Sequence, residues 1–295
     1  PELPALINNY ELDATHRAFS PAGGSDRILT ETLGAKPTLQ VVRLELGGQV
    51  GNDQPAAFGG GLLLPLTSGV IGLFNGESGE PMAAPFIPAT SAGANLQWYP
   101  PSVASHGNSA IVASVRGDLL RIIVEQDPQP HLTASQQTQS DAPFVAAPAV
   151  INDFIVAIVR GAQADVLRRY DAESLQMAAA SDLPGRVIWG PVRANDVALV
   201  MTDQGRLLGL DAASVRFDVA ASQGPVVGQP VVDGGQVTLT SQAGSLWSIK
   251  LADGQTIRQV DVGETLSSGP VPFAGDRYLV TGGDGTLHIV PLTSN

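Results

Sequence analysis

The feature that most constrains the fold of this chain is an internal repeat of about 43 residues. A proline recurs at positions 55, 101, 148, 191, 230 and 270, so successive copies begin 46, 47, 43, 39 and 40 residues apart. In every copy a short apolar run follows the proline, and a glycine stands 13 to 16 residues after it. The clearest copy spans residues 228–254. Such a chain stacks one supersecondary unit several times, because no single unit can bury its apolar faces alone.

The apolar runs of the repeat predict β-strands. They are four to six residues long and rich in Val, Ile and Thr, whereas helical repeats need longer segments. The pair Asp284 and Gly285 is typical of the tight turns that join antiparallel strands. A period of this length fits the four-stranded blade of a β-propeller, and 295 residues hold about seven blades. The predicted fold class is all-β: a single β-propeller of four-stranded antiparallel blades, seven in number, with six or eight as the alternatives.

The repeat also predicts the domain organisation. We expect residues 1–295 to form one propeller domain with readable repeats over residues 38–291. Residues 1–36 are expected to be irregular, and residues 38–46 match the third strand of a seventh unit. The last unit ends soon after its third strand. Because an open sheet edge leaves backbone groups unpaired, we expect an N-terminal strand within residues 5–20 to add the missing outer strand and close the ring.

Composition excludes several classes of partner and site. The formal net charge is −12 and the isoelectric point is near 4.6, so nucleic acids and anionic membranes would be repelled. There is no cysteine, which removes disulfides, thiolate nucleophiles and zinc sites that need sulfur. No stretch approaches the roughly 18 apolar residues that span a bilayer. We therefore expect no nucleic-acid partner and no direct membrane insertion of this segment.

The residue types that could carry catalysis form no recognisable motif. Asp203, Asp233 and Asp284 stand in turn sequences and are predicted to be solvated turn residues. No G-x-S-x-G nucleophile elbow occurs, and the glycine-rich segments 59–61 and 282–285 do not open a helix that could hold a phosphate. The histidines show no pair at metal-ligand spacing: His16, His106, His131 and His288. We predict no catalytic residue, no cofactor-binding residue, no metal ligand and no cofactor.

Two segments interrupt the repeat. Residues 126–146 are polar and poor in strand pattern, and we expect them to form the outer edge of a blade with a long loop. Residues 75–100 contain four prolines and end with Trp98 and Tyr99. These two aromatic residues either belong to an exposed recognition surface or fill a groove between blades, and the groove is favoured.

The repeated order G-x-P-V-V, apolar strand, G-x-L-x-x-I/L-D and a closing Asp-Gly resembles the PQQ-like repeat of quinoprotein alcohol dehydrogenase-like propellers. The resemblance covers residues 50–291 and is best in residues 186–291. It implies the propeller fold. It does not imply one activity, since this superfamily includes quinone-dependent alcohol dehydrogenases, a propeller lipoprotein of outer-membrane assembly and sensor domains of bacterial kinases.

The departures from the dehydrogenases concern the residues that those enzymes use. The resemblance implies a quinone held against a calcium ion, a catalytic Asp and a tryptophan floor, in many members beside a vicinal disulfide. That disulfide cannot form without cysteine. Only three tryptophans occur, Trp98, Trp189 and Trp247, and packing between blades is predicted for the last two.

These observations favour a function in binding. We expect a non-catalytic scaffold of the non-enzymatic branch, presenting loops to a protein or peptide. It would be a sensory or assembly domain of a larger bacterial protein, outside the cytoplasm or in the periplasm. The alternative function is that of a PQQ-dependent oxidoreductase, a dehydrogenase whose propeller holds the quinone.

Overall fold

The computed structural model describes residues 6–21, 26–34, 36–51, 54–89, 96–104, 107–212, 214–273 and 275–292. It confirms the all-β prediction, since none of these residues is helical and their strands form seven antiparallel sheets in chain order. The chain is a seven-bladed β-propeller. No helix that could cross a membrane occurs in the described ranges.

We number the sheets as blades 1 to 7 along the chain. Blade 1 has the strand order β1 (Leu6–Glu11), β2 (His16–Pro21), β3 (Arg27–Thr32), β4 (Thr38–Arg43). Blade 2 has the order β5 (Ala56–Phe58), β6 (Gly61–Pro65), β7 (Ile71–Phe74). Blade 3 has the order β8 (Ser102–Val103), β9 (Ala110–Ala113), β10 (Asp118–Glu125), β11 (His131–Gln139).

Blades 4 to 7 follow the same plan. Blade 4 has the order β12 (Ala149–Ile151), β13 (Phe154–Val159), β14 (Val166–Asp171), β15 (Met177–Asp182). Blade 5 has the order β16 (Val187–Ala194), β17 (Val197–Thr202), β18 (Arg206–Leu210), β19 (Val215–Ala220). Blade 6 has the order β20 (Val226–Asp233), β21 (Gln236–Ser241), β22 (Ser245–Lys250), β23 (Thr256–Asp261). Blade 7 has three strands, β24 (Val271–Phe273), β25 (Arg277–Thr281), β26 (Leu287–Pro291).

Burial follows strand position within a blade. In blade 5 every residue of the second strand, β17, is buried, and four of the five residues of β18 are buried. The fourth strand, β19, buries only Phe217. Middle strands are apolar on both faces because both faces are covered, whereas outer strands alternate and meet solvent.

The glycine of the repeat has a steric role in the innermost strand. Gly228 of β20 has φ = 66°, and a Cβ at this position would collide with the backbone of Gly269, just before β24. A Cβ at Gly269 would in turn collide with the backbone of Gln229. Because glycine adopts a positive φ without strain and has no Cβ to block this approach, the G-x-P sequence predicts where neighbouring inner strands come closest.

The N-terminal residues differ from the prediction. We expected residues 1–36 to be irregular and a segment of residues 5–20 to add to the last blade. Instead β1 and β2 pair with each other, and β2 pairs with β3, all within blade 1. The sequence predicts a third strand for residues 38–46, whereas β4 is the fourth strand of its sheet. The correction has a simple cause: blade 1 forms the same four-stranded sheet without the proline and glycine signature of the other copies.

The polar segment 126–146 contains a long outer strand, as expected. β11 pairs with β10 from Asp118 opposite Gln139 to Glu125 opposite His131, with a register shift after Arg121. Apart from Leu132, its side chains are exposed or half-buried, which explains their polar character.

The chain forms two compact units. The N-terminal unit consists of Pro1–Val159 and Tyr170–Ala179, and the C-terminal unit of Arg160–Arg169 and Ala180–Asn295. Each has apolar clusters of its own, one around Leu63 and Trp98 in the first unit and one around Leu239 and Trp247 in the second. That residues 1–295 constitute a single domain stays a prediction.

Candidate functional site

The tryptophans serve packing. Trp98 is 3% exposed within the cluster of blades 2 and 3, and its indole Nε1 donates to the carbonyl of Gly69 at 2.8 Å. Tyr99 is half-buried and donates its hydroxyl proton to the carbonyl of Phe144 at 3.0 Å. The groove interpretation is therefore confirmed for Trp98, which joins two blades and is closed to solvent.

The other two tryptophans lie in blades 5 and 6. Trp247 is 1% exposed in β22, as expected for a third strand that packs on both faces. Trp189 of β16 is half-buried and donates its Nε1 proton to the carbonyl of Gly228 at 3.0 Å, so it lies at the junction of two inner strands. Neither residue offers a free aromatic floor of the kind that a quinone needs.

The aspartates singled out from the sequence lie in exposed turns. Asp284 accepts hydrogen bonds from the hydroxyl of Thr286 at 2.6 Å and from its backbone N–H at 2.9 Å, and these bonds lower the pKa of its carboxyl. Asp203 accepts the backbone N–H of Arg186 at 2.9 Å. Asp233 is exposed at the end of β20. The carboxylate of Asp284 thus stabilises its own turn, and that of Asp203 links its turn to the residue before β16.

The described histidines each contact a carboxylate. His131 lies 3.4 Å from Glu125 and His288 lies 2.7 Å from Glu264, each measured from Nε2 to a carboxylate oxygen. His106 lies outside the described residues. His16 contacts two carboxylates, Asp13 at 2.9 Å from Nδ1 and Glu77 at 3.1 Å from Nε2. Sequence spacing indicated no histidine pair, and it could not find Glu77, which belongs to another blade.

Asp13, His16 and Glu77 offer ligand-type atoms that lie within 4.8 Å of one another. The two carboxylates are more than half exposed. The two ring nitrogens of His16 face one carboxylate each, so the side chain lies between the turn after β1 and the turn after β7. These side-chain contacts therefore join blade 1 to blade 2.

A polar cleft of about 270 Å³ opens among the loops of blades 3 and 4. Its walls include Arg121, Asp153, Asp171 and Glu173. Hydrogen bonds from the backbone N–H and the hydroxyl of Ser174 lower the pKa of Asp171, so this carboxylate is already engaged within its own turn. The walls of this cleft carry three carboxylates and one guanidinium.

Blade 7 exposes an apolar face that sequence reasoning missed. The register places Val271 opposite Leu279 and Leu279 opposite Ile289, so these side chains share one face of the sheet. On this face the exposed fractions are 54% for Val271, 44% for Phe273, 65% for Leu287 and 49% for Ile289. We call these four residues the apolar face of blade 7.

The opposite face of blade 7 is packed. Val280 and Val290 are buried there in a cluster with Leu246 and Leu266. β26 has Leu287 and Ile289 on one face and Val290 on the other, a composition that predicts a strand covered on both sides, whereas only the Val290 side is buried. The guanidinium of Arg277 lies 5.3 Å from the ring centre of Phe273, which leaves a cation beside the apolar face.

The strand β26 has a free edge. Gly282 donates its N–H to the carbonyl of Thr286 at 2.8 Å, and Leu292 donates its N–H to the carbonyl of Asp276 at 3.0 Å. The backbone groups of the even-numbered residues along β26 therefore point towards β25. Because antiparallel strands alternate, the backbone groups of Leu287 and Ile289 point away from β25. Among the described residues no strand pairs with them. We call these backbone groups the open edge of blade 7.

Comparison with known proteins bears on the fold. No family model matches the chain, and no curated protein does. Among solved structures, BamB from Moraxella catarrhalis is 12% identical with a TM-score of 0.59, covering 97% of this chain and 85% of that one. The C-terminal WD40 domain of Sif2 is 14% identical with a TM-score of 0.64, over 98% and 83%. Saccharomyces cerevisiae Sqt1 is 10% identical with a TM-score of 0.63, over 98% and 83%. These similarities support the β-propeller fold alone.

Proposed function

We propose that this protein is a non-catalytic β-propeller scaffold that binds a protein or peptide. The observation that carries the proposal is the apolar face of blade 7, where four large side chains on one sheet face are 44–65% exposed. Contiguous exposed apolar surface is typical of protein–protein interaction sites, whereas apolar residues scattered singly are ordinary. A rigid sheet presents such a surface at a low cost in conformational entropy.

The finer parts of the proposal rest on the repeat sequence. The order of prolines, glycines and apolar strands supports membership in the non-enzymatic branch of the quinoprotein alcohol dehydrogenase-like superfamily. Within that group, a sensory or assembly domain of a larger bacterial protein agrees best with a binding surface. We propose a location outside the cytoplasm or in the periplasm on the same resemblance.

The alternative of a quinone-dependent dehydrogenase is disfavoured by the aromatic residues. Trp98 and Trp247 are almost fully buried among aliphatic side chains, and the Nε1 of Trp189 is hydrogen-bonded at a strand junction. A quinone held between aromatic planes would require one of them to leave its packing.

A peptide-display selection tests the scaffold function. Random peptides are selected against the full chain, and the enriched peptides are titrated against wild type and against the double variant Phe273→Ser/Leu287→Ser. We expect the variant to bind about tenfold or more weakly, because the face loses two large apolar anchors. If the enriched peptides bind both proteins equally, the binding site is not the apolar face of blade 7, and the proposal loses its main support.

A reconstitution tests the alternative. The protein is incubated with pyrroloquinoline quinone and Ca²⁺, and dye reduction is followed over simple alcohols and sugars. We expect neither stoichiometric quinone binding nor turnover. Turnover would overturn the scaffold interpretation directly.

A further inference from the structure

We propose that the open edge of blade 7 receives an extended peptide segment of a partner protein, which adds to β26 as a fourth, antiparallel strand. The inference rests on the proposed scaffold function and names its site and mode of recognition. In this mode backbone hydrogen bonds supply affinity, and alternate side chains supply specificity.

The other blades define what belongs at this position. Blades 1, 3, 4, 5 and 6 each carry a fourth strand on the outer side of the third. In blade 2 the proline-rich segment 81–86 takes this place: Met82 donates to the carbonyl of Leu73 at 2.9 Å, and Phe86 and Ile71 exchange hydrogen bonds of 2.9 and 3.0 Å. Among the described residues, blade 7 alone leaves the outer side of its third strand unpaired.

The open edge supplies the required backbone groups. Leu287 and Ile289 direct one N–H and one C=O each toward the vacant position, which makes four hydrogen bonds available to an added strand. Pro291 has no N–H, so the ladder of hydrogen bonds becomes incomplete at that end of β26. The partner segment therefore needs a central stretch of only about six residues, the length of the fourth strands β19 and β23.

The side chains around the edge define the partner's composition. An added strand places alternate residues beside Leu287 and Ile289, which are 65% and 49% exposed, so apolar residues there would cover the apolar face. The intervening residues would lie beside His288, whose Nε2 is 2.7 Å from Glu264, and polar residues suit that side. The expected segment alternates aliphatic and polar residues.

A partner segment is favoured over a second copy of this chain. Two β26 strands could pair across a twofold axis, but each protein carries a net charge of −12, which opposes close approach of two copies. A neutral or basic segment meets no such repulsion.

The first experiment measures hydrogen exchange of the full chain alone and with a probe peptide. The probe is a copy of residues 255–262, which contains the fourth strand of blade 6. In the free protein we expect fast exchange at the amides of Leu287 and Ile289. The matched controls are the amides of Leu246 and Ser248 in β22, which face β23 and should be protected. Protection of Leu287 and Ile289 in the free protein would mean that the edge is already filled, and would overturn the proposal.

The second experiment uses the probe's own backbone. Val262 donates its N–H to Gly244, so the amides of Arg258 and Val260 also face the third strand in blade 6, while those of Gln259 and Asp261 face away. Peptides N-methylated at one residue keep every side chain and lose one donor. We expect binding to weaken about tenfold or more for methylation in one alternating set, and to change little for the other set.

The outcomes separate this inference from the proposed function. Equal effects of both methylated sets, together with lost binding to Phe273→Ser/Leu287→Ser, would show side-chain docking on the face and overturn strand addition alone. No protection of Leu287 and Ile289 at millimolar probe would overturn it as well. A sedimentation shift to a dimer, with edge protection that rises with protein concentration, would assign the edge to a second copy instead.

Discussion

At the scale of single residues, two tryptophan hydrogen bonds that differ in burial are expected to differ in their contribution to stability. The acceptor of the Trp98 indole, the Gly69 carbonyl, is buried, whereas the equivalent bond from Trp189 to Gly228 is exposed. We expect Trp98→Phe to lower the free energy of unfolding by about 1–3 kcal/mol, because water cannot replace the lost donor. The matched change Trp189→Phe should cost less than about 1 kcal/mol, since water can. Urea unfolding measures both, and equal losses would contradict the argument.

Substitution of Asp165 is expected to lower the free energy of unfolding by a larger amount. Its side chain is fully buried, with carboxylate oxygens 2.9 Å from Arg160 Nη1 and 3.2 Å from Arg186 Nη1, and it accepts the backbone N–H of Val187 at 2.9 Å. Asp165→Asn keeps the shape and removes the charge between two guanidinium groups, so we expect a loss of about 3–5 kcal/mol. The exposed pair of Arg206 and Asp218 provides the control, and Asp218→Asn should stay within about 1 kcal/mol. Thermal and urea unfolding would reveal the difference.

Asp13 predicts a pH dependence. The backbone N–H of Thr15, the ring of His16 and the hydroxyl of Thr15 hold the pKa of its carboxyl well below the ordinary value of 3.8. Just below pH 3.8 the carboxyl of Asp13 therefore stays ionised in the folded protein but takes up a proton in the unfolded protein. The stabilisation is complete above 3.8 and declines as the pH falls below it. The difference in melting temperature between Asp13→Asn and wild type should be constant at about pH 6, begin to shrink near the ordinary pKa of 3.8, and keep shrinking as the pH falls further towards the lowered pKa of the folded protein. Exposed Asp276→Asn is the control, and a pH-independent difference would contradict the expectation.

At the scale of elements, the close approach of two inner strands predicts different stability costs for alanine substitutions at two glycines, one in β20 and one in the turn that follows it. Gly228→Ala forces a Cβ into the backbone of Gly269 at a positive φ, which costs about 1–3 kcal/mol for the conformation alone. Gly235→Ala is the matched control, because nothing lies within 4 Å of its Cβ position and its φ is not left-handed. Urea unfolding should separate the two clearly. Equal stability of both variants would mean that the strands can move apart.

The elements that could be predicted from the sequence are those that the repeat marks. The prolines and glycines of residues 55–291 fixed the inner strands and the turns because each marks a backbone constraint. Blade 1 forms without these marks, so the sequence predicts its strands wrongly. The apolar face could not be predicted, since Leu287 and Ile289 have the composition of a covered strand. Contacts such as Glu77 with His16 depend on the arrangement of blades and leave no local pattern.

At the scale of the whole molecule, the net charge opposes self-association of the protein, whereas the apolar face of blade 7 favours it. The net charge of −12 keeps copies apart at pH 7, and it approaches zero near the isoelectric point of 4.6. We expect light scattering to detect self-association near that pH, and expect Leu287→Ser to reduce it, because the face loses its most exposed residue. Ile87→Ser removes a residue of the same 65% exposure and is the control. Equal reduction by both variants would mean that association is not directed by blade 7.

The burial gradient across each blade has a consequence for how such a sequence changes over time. Stability is concentrated in the second and third strands, where a substitution opens a cavity. Outer strands such as β15 and β19 are mostly in contact with water, so exchanges there are nearly neutral. Lineages of such a protein can therefore drift apart in most of their outer positions while natural selection retains a sparse inner pattern.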